Sequence, residues 1–302
     1  MLVARWFCAA VLLYASVAQA ATDLAVTVDD LPTHGPLPPR VSRVDVAAQM
    51  IEALKRHVVP GVYGFLNGGQ LRDNPDLEPI VGAWTQAGFR LGNHTFSHAD
   101  LTRLGAAEYI ADIERNEAVV ARSSPAGARR YFRYPYLHEG DTLDKRRAVR
   151  RWLASRGYVI AQVTVYFEDW AWNDAYARCM ARADTPTIAR MKRMFMESAL
   201  AHLAWSQELS TRLFKRQIRH ILLLHVGAFD ALMLDELLRA YRAAGVRLIG
   251  LDRAVRDPAY KIDPELVWDG ERSFLRQLAQ ARGIPIPTVP LVHAEALAQL
   301  CR

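Results

Sequence analysis

The alternation of short apolar segments with longer amphipathic ones restricts the fold of this chain more than any other feature. The apolar segments have the composition of strands and lie at 24–28, 61–66, 89–92, 130–133, 158–165, 221–224 and 246–250. Between them, apolar residues recur at helical spacing at 44–56, 74–87, 108–122, 144–157 and 232–244. Strands that alternate with helices predict βα units, and therefore an α/β fold with a parallel sheet or barrel.

Two segments lie outside this alternation. Residues 174–219 form a long, mostly helical insertion, which either packs on the barrel or covers the substrate or a dimer contact. Residues 252–302 form a C-terminal extension with one predicted helix at 270–282 and a rigid Ile-Pro-Ile-Pro stretch at 284–287. The length of 302 residues allows one large domain or two small ones, and the 51% hydrophobic content predicts a folded core.

The first twenty residues have the layout of a secretory signal peptide. Arg5 is their only charged residue, an apolar run covers 6–18, and Ala18-Gln19-Ala20 precedes Ala21 as a small-x-small cleavage pattern. The run is shorter than the roughly 20 residues that span a bilayer, although an uncleaved anchor is the alternative. We therefore expect export to the periplasm or the medium and no stable membrane span after cleavage.

Removal of residues 1–20 would leave two cysteines, Cys179 and Cys301. They could form one disulfide in an oxidising compartment, but their positions in the sequence do not show whether they meet. The apolar helical surroundings of Cys179 favour a core position for it.

The formal net charge of +6 favours acidic partners such as cell-wall polymers or anionic membrane surfaces, although a solvated basic surface is the simpler interpretation. The densest basic cluster, at 145–151, alternates with apolar residues and indicates one face of a helix. No aromatic–basic motif accompanies the positive charge, so we do not expect a nucleic-acid partner.

Polar residues follow the predicted strands, at the edge where sites gather in α/β barrels and open sheets. Two of them, His94 and His98, are spaced i and i+4, so both imidazoles would reach one metal ion if the segment were helical. Asp29 and Asp30 end the first strand, where one carboxylate could bind the metal while the other acts as a base. A chance histidine pair and a simple strand-to-loop cap are the alternatives.

Three further residues stand at strand ends. His225 follows an apolar strand and could protonate a leaving amine. Arg133 could hold a carboxylate in its ionised form, and Asp169 follows the fifth strand. Each of them taken alone is explained equally by a structural histidine or by an ordinary salt bridge.

Residues 29–225 resemble the polysaccharide deacetylase family, also called the NodB-homology domain or carbohydrate esterase family four. Five motifs occur in family order: Thr27-Val28-Asp29-Asp30, His94-Thr95-Phe96-Ser97-His98, Arg133-Tyr134-Pro135-Tyr136, Val165-Tyr166-Phe167-Glu168-Asp169-Trp170 and Leu222-Leu223-Leu224-His225. The resemblance places a deacetylase-like catalytic domain at 21–251, including the insertion 174–219. It implies a distorted (β/α) barrel with one divalent metal ion, most often zinc and alternatively cobalt.

The resemblance also implies a role for each motif residue. By motif position, Asp30, His94 and His98 would bind the metal, Asp29 would be the catalytic base, and His225 would be the general acid. Arg133, backed by Asp169, would orient Asp29, while the Tyr136 N–H would stabilise the oxyanion. Trp170 and Leu223, together with Tyr136, would bind substrate around the acetyl methyl group.

The expected reaction is N-deacetylation of a glycan that contains N-acetylglucosamine, such as peptidoglycan, a chitooligosaccharide or an exopolysaccharide. Val28, Leu137 and Tyr166 depart from the usual motif residues, and the loop 31–40 with His34 borders the expected cleft, so the natural polymer stays open. An O-acetyl esterase and a catalytically silent glycan-binding protein are the alternatives. The sequence leaves the native metal and the oligomeric state undetermined.

Overall fold

The computed structural model describes residues 21–267, 273–291 and 293–302. Within them, seven strands form one sheet in which every pair is parallel: Thr22–Leu31 (β1), Tyr63–Leu66 (β2), Arg90–Asn93 (β3), Tyr131–Phe132 (β4), Val159–Ile160 (β5), His220–His225 (β6) and Val246–Ile249 (β7). The predicted α/β fold with a curled parallel sheet is therefore confirmed. The predicted signal peptide lies outside the described residues.

The order of the strands is β5-β4-β3-β2-β1-β6, and β7 also pairs with β1. The sheet curls so that a single parallel bridge between Val165 and Leu222 connects the segment after β5 to β6. The long strand β1 is central, and its Leu24, Val26 and Val28 are fully buried. Burial of such a side chain stabilises the fold by about 1.5–3 kcal/mol.

Helices cover the sheet: Arg43–Arg56 (α1), Gly68–Asp73 (α2), Glu78–Gln86 (α3), Ala106–Arg122 (α4), Leu143–Ser155 (α5), Trp172–Ala181 (α6), Thr185–Phe214 (α7), Ala228–Ala243 (α8), Leu251–Ala254 (α9), Phe274–Ala281 (α10) and Ala294–Gln299 (α11). No helix among the described residues is long and apolar enough to cross a membrane. The helix predicted at 74–87 begins as a 3-10 turn, Pro75–Leu77, before α3.

Two local expectations differ from the structure. The strand predicted at 158–165 ends at Ile160, because the Gln162 N–H donates to the Ile160 carbonyl and turns the chain out of the ladder. The turn predicted at Asn67-Gly68-Gly69 leads directly into the short helix α2. Gly69 permits a close approach there, since its N–H donates to the Phe96 carbonyl at 2.8 Å and a Cβ would lie 2.6 Å from that oxygen.

Within 174–219 the structure has most of α6 and all of α7, which pack on α8 and the sheet. Part of the helix predicted at 270–282 forms as α10, which packs on α7, and α11 is an additional helix that packs on α6. A disulfide joins Cys179 of α6 to Cys301 just after α11, with their Cα atoms 5.1 Å apart. Cys179 is thus both fully buried and paired.

The basic cluster at 145–151 is not simply a solvated helix face. Arg146 is 1% exposed, and its guanidinium contacts Glu139 at 3.0 Å and Asp263 at 2.5 Å. Arg150 contacts the same two carboxylates at 2.5 Å and 2.8 Å. The predicted helix is confirmed, and these two arginines of α5 join it to the C-terminal extension through ion pairs between distant parts of the chain.

Candidate active site

A cleft of about 440 Å³ opens at the carboxyl ends of the parallel strands. Eight of the residues that the sequence analysis selected line it: Asp29, Asp30, His94, His98, Tyr136, Trp170, Leu223 and His225. The other two, Arg133 and Asp169, are buried directly behind it, at 1% and 0% exposure. The structure therefore brings every selected residue to one place, although it does not assign their roles.

Asp30, His94 and His98 form a compact group of metal-binding side chains. Asp30 Oδ1 lies 3.4 Å from His94 Nε2 and 3.2 Å from His98 Nε2. One ligand atom from each residue lies within 4.8 Å of the other two. One carboxylate and two imidazoles, with room for a water or substrate oxygen, are the donor set of many catalytic zinc sites.

The hydrogen bonds around this group fit a cation. His94 Nδ1 lies 2.8 Å from the Arg133 carbonyl and donates to it, so the lone pair of Nε2 points toward Asp30. Asp30 Oδ1 is buried without a hydrogen bond of good geometry, whereas Oδ2 lies 2.7 Å from His34 Nδ1. An unsatisfied buried carboxylate oxygen that faces two imidazole nitrogens is well suited to a divalent cation.

The ionisation state of Asp30 is consistent with this role. Burial raises the pKa of its carboxyl, but the neighbouring imidazoles of His34, His94 and His98 outweigh burial and hold the pKa well below its usual range. Asp30 is therefore a carboxylate at neutral pH. His34 is thus a further neighbour of Asp30 in the cleft. In the sequence, only its position in the loop 31–40 indicated that it lies near the cleft.

Asp29 is held by a different partner from Asp30. One guanidinium nitrogen of Arg133 lies 3.2 Å from each Asp29 carboxylate oxygen, and another donates to Thr27 Oγ1 at 3.0 Å. The Arg133 guanidinium also lies 4.6 Å from the centre of the Phe65 ring, a cation–π contact. Asp29 is thereby fixed beside the metal-binding group, with Oδ2 3.8 Å from His94 Nε2.

Asp169 contacts His225 rather than Arg133. Its two carboxylate oxygens lie 3.1 and 3.2 Å from His225 Nδ1, and Oδ2 also accepts the His225 backbone N–H at 2.7 Å. The expectation that Asp169 backs the Arg133–Asp29 pair is therefore wrong. The fifth strand ends early, and the 3-10 turn Asp169–Ala171 that follows packs beside β6, which delivers His225.

The Asp169 carboxylate dominates the titration of His225. Burial lowers the pKa of His225, but the charge and hydrogen bond of Asp169 outweigh burial and raise the pKa to about 9. Asp230 lies behind Asp169 at 1% exposure, and burial together with Asp169 raises the pKa of Asp230 well above its usual range. The shift favours the neutral form of this third carboxyl, to which no motif in the sequence pointed.

Backbone strain is concentrated around the cleft. Five non-glycine residues that line it have φ between +55° and +60°, namely Asp30, His98, Tyr136, Leu137 and Glu168. Such conformations cost about 1–3 kcal/mol each and often occur where a site is preorganised.

Tyr136 is half exposed, and its ring packs edge-on against His98 with the centroids 4.4 Å apart. The Trp170 indole donates to the Tyr166 hydroxyl at 3.2 Å.

The segment between His94 and His98 is a loop, not a helix. Thr95 and His98 have φ of 61° and 56°, so the two imidazoles meet through a tight turn rather than through helical spacing. Beneath the loop, the Asn67 amide donates to the His94 and Thr95 carbonyls. Asn93 Oδ1 accepts the Thr95 N–H and the Asn116 amide, each at 2.9 Å. These three buried asparagines carry no motif signal in the sequence.

Comparison with known proteins identifies relatives of this chain. A family model described as polysaccharide deacetylase matches residues 17–154. A peptidoglycan-N-acetylglucosamine deacetylase of Bacillus cereus is 27% identical over 49% of this chain and 46% of its own length. A chitooligosaccharide deacetylase of Rhizobium leguminosarum bv. trifolii is 34% identical over 28% of this chain and 39% of its own length. The chain thus spans less than half the length of these curated relatives.

Among solved structures, the wild-type form of a protein from Bacillus anthracis, described as a CE4 family pseudoenzyme, has the same fold. It superposes with a TM-score of 0.52 at 15% sequence identity, over 78% of this chain and 66% of the other. A likeness at this identity establishes the shared architecture alone. Function therefore has to be argued from the site residues.

Proposed function

From the match of residues 17–154 to a family model described as polysaccharide deacetylase, we propose that this protein is a metal-dependent hydrolase that removes N-acetyl groups from a glycan containing N-acetylglucosamine. The observation that carries the proposal is the arrangement around Asp30, His94 and His98. The pair Asp29–Arg133 and the pair His225–Asp169 both reach the cleft that this group lines. A base, an acid and a cation site in one cleft are what amide hydrolysis requires.

Asp29 and His225 each transfer a different proton in the proposed reaction. Asp29, held in place by the Arg133 guanidinium, accepts the proton of the attacking water. His225, kept protonated by Asp169, donates a proton to the departing nitrogen, so acetate and a free amine are released. Asp30, His94 and His98 would hold a divalent cation, which when bound would supply Lewis-acid polarisation of the acetyl carbonyl and of water. The Tyr136 N–H is the additional donor for the oxyanion.

Three observations support a glycan substrate outside the cytoplasm. Two relatives carry the names of peptidoglycan and chitooligosaccharide deacetylases. The net charge of +6 suits an acidic cell-wall polymer. The disulfide between Cys179 and Cys301 suits an oxidising compartment, so we propose that the protein is exported and is periplasmic or secreted.

Two other functions share this site. An O-acetyl esterase would use the same residues, because an ester is easier to cleave than an amide. A catalytically silent glycan-binding protein is favoured by one specific observation, the likeness of the fold to a pseudoenzyme. The complete set of proton carriers in this cleft favours an active hydrolase over that alternative.

The decisive experiment measures acetate release by the purified chain after removal of metal, with and without added zinc or cobalt. Substrates are N-acetylglucosamine oligomers, peptidoglycan and an O-acetylated xylan. Metal-dependent release from the N-acetylated substrates is the expected result. Release from the xylan alone would identify an esterase instead. Binding of one equivalent of metal without release from any substrate would favour the silent binding protein.

A further inference from the structure

A second cavity of about 360 Å³ adjoins the active-site cleft. His34 and Trp170 line both spaces, so the cavity and the cleft lie side by side. Its other walls come from the loop after β1, from the start of α6 and from α11 in the C-terminal extension. The volume lies within the range of ligand pockets.

The α11 wall is anchored to the body of the protein. The disulfide between Cys179 and Cys301 fixes the end of the extension to α6. From the same helix, the Arg178 guanidinium donates to the carbonyls of Leu297 at 2.9 Å and Leu300 at 3.0 Å. The Leu297 side chain is 1% exposed. A wall held in this way is preformed, so a ligand does not have to order it.

The lining has the chemistry that suits one face of a pyranose ring. Small apolar side chains surround the space together with Trp170: Ala171 from the 3-10 turn, Ala175 from α6, and Ala294 and Ala298 from α11. An aromatic ring and aliphatic carbons can pack against the C–H face of a sugar. Asp174, which also lines the cavity and pairs with Arg178, offers carboxylate oxygens to sugar hydroxyls.

We propose that this cavity is a subsite for a neighbouring pyranose unit of the glycan whose acetyl group lies in the cleft. The inference rests on the proposed function. It adds to the acetyl-binding site a second site that recognises a neighbouring unit of the oligomer. The occupant is a sugar unit of the same glycan, because the cavity adjoins the cleft at His34 and Trp170, which line both spaces. The C-terminal extension thereby becomes part of substrate recognition.

The test compares two substitutions on α11. Ala298→Phe fills the cavity, whereas Ala296→Phe adds the same ring to an exposed position outside its lining. Calorimetry measures the binding of an N-acetylglucosamine hexamer to the metal-stripped protein. We expect about tenfold weaker binding for Ala298→Phe, which is about 1.4 kcal/mol, and unchanged binding for Ala296→Phe. In the metal-loaded protein, KM for the hexamer should rise similarly while kcat is retained.

The outcomes separate this inference from the proposed function. Equal hexamer binding by both variants, or no hexamer binding by the unmodified chain, would overturn the subsite. Weaker binding only in Ala298→Phe, with no acetate released by the unmodified chain, would retain the subsite and refute deacetylation. Equal thermal unfolding midpoints exclude a folding defect, and Ala294→Phe provides a second variant if Ala298→Phe is unstable.

Discussion

At the scale of single residues, the adjacent carboxylates Asp29 and Asp30 have separate environments. Asp30 has φ of 60°, which takes its side chain out of the alternation of the strand and toward His94 and His98. Asp29 remains paired with Arg133. Two neighbouring negative charges are thus stabilised by different positive or metal-binding partners, which allows one to serve as a ligand and the other as a base.

This separation predicts that Asp29→Asn and His94→Ala have different defects. Asp29→Asn should keep zinc affinity and lose about 10²–10⁴-fold in turnover, because it removes a general base. His94→Ala should lose zinc affinity as well, because it removes a ligand. Competition with a chelator measures affinity, and acetate release measures turnover. His138→Ala is the control, since His138 lines the cleft but bonds to Asp100 at 2.9 Å. Equal loss of metal in Asp29→Asn and His94→Ala would contradict the proposed roles.

His225 depends on two carboxyl groups of different charge. Asp169 contacts its Nδ1 and raises its pKa, while the raised pKa of Asp230, which lies behind Asp169, favours the neutral form of that acid. Because the pKa of His225 is raised above 6.5, its pairing with Asp169 contributes to stability below that pH. The contribution is lost as pH rises through about 9.

An NMR titration of the metal-stripped protein should therefore place the His225 pKa at about 9. Asp169→Asn should lower this pKa by well over one unit, because it removes the facing negative charge. Asp230→Asn should change it far less, since an amide replaces an acid that is already uncharged. A large shift in Asp230→Asn would show that Asp230 is ionised and would contradict this description.

At the scale of secondary-structure elements, the C-terminal extension is attached at two places. Arg146 and Arg150 of α5 bind Asp263 at the start of the extension. Cys301 is bonded to Cys179 of α6 at its end. The disulfide closes a long loop of chain, so its stabilising effect acts largely on the unfolded ensemble, whereas the ion pairs act only in the folded state.

Cys301→Ser should lower the free energy of unfolding by about 2–5 kcal/mol, because the disulfide joins residues separated by 122 positions. Denaturant unfolding under non-reducing conditions measures the change. A reducing agent should destabilise the unmodified chain by a similar amount and leave Cys301→Ser unaffected. Unchanged stability in the variant would show that other contacts alone hold the extension.

At the scale of the whole molecule, the metal-binding group joins distant parts of the chain. Asp30 comes from the end of β1, and both histidines come from the loop after β3. This group exists only when the sheet is assembled, so a cation that binds it must stabilise the folded state.

Zinc should therefore raise the unfolding temperature of the metal-stripped protein. At a thousandfold excess over its dissociation constant, the expected gain is about 4 kcal/mol. Differential scanning calorimetry measures the gain, with magnesium as a comparison because it favours oxygen ligands. His98→Ala should lose most of the stabilisation, whereas His138→Ala should retain it. A similar gain in both variants would place the zinc elsewhere.

The sequence by itself determined the α/β fold, the resemblance to the polysaccharide deacetylase family and the selection of residues at the strand ends. These features are local, since periodicity follows from backbone geometry and each motif residue sits beside its own strand. The carboxyl ends of parallel strands must share one edge, so selecting those ends also located the cleft.

Only the tertiary structure decided which side chains meet. Four features depend on contacts between distant segments: the partner of Asp169, the turn that joins His94 to His98, the buried ion pairs of Arg146 and Arg150, and the Cys179–Cys301 bond. Sequence spacing does not specify such contacts, because the direction of a side chain after a strand depends on where the strand ends and how the following loop packs. Asp230 and the three asparagines beneath the histidine loop were missed for the same reason.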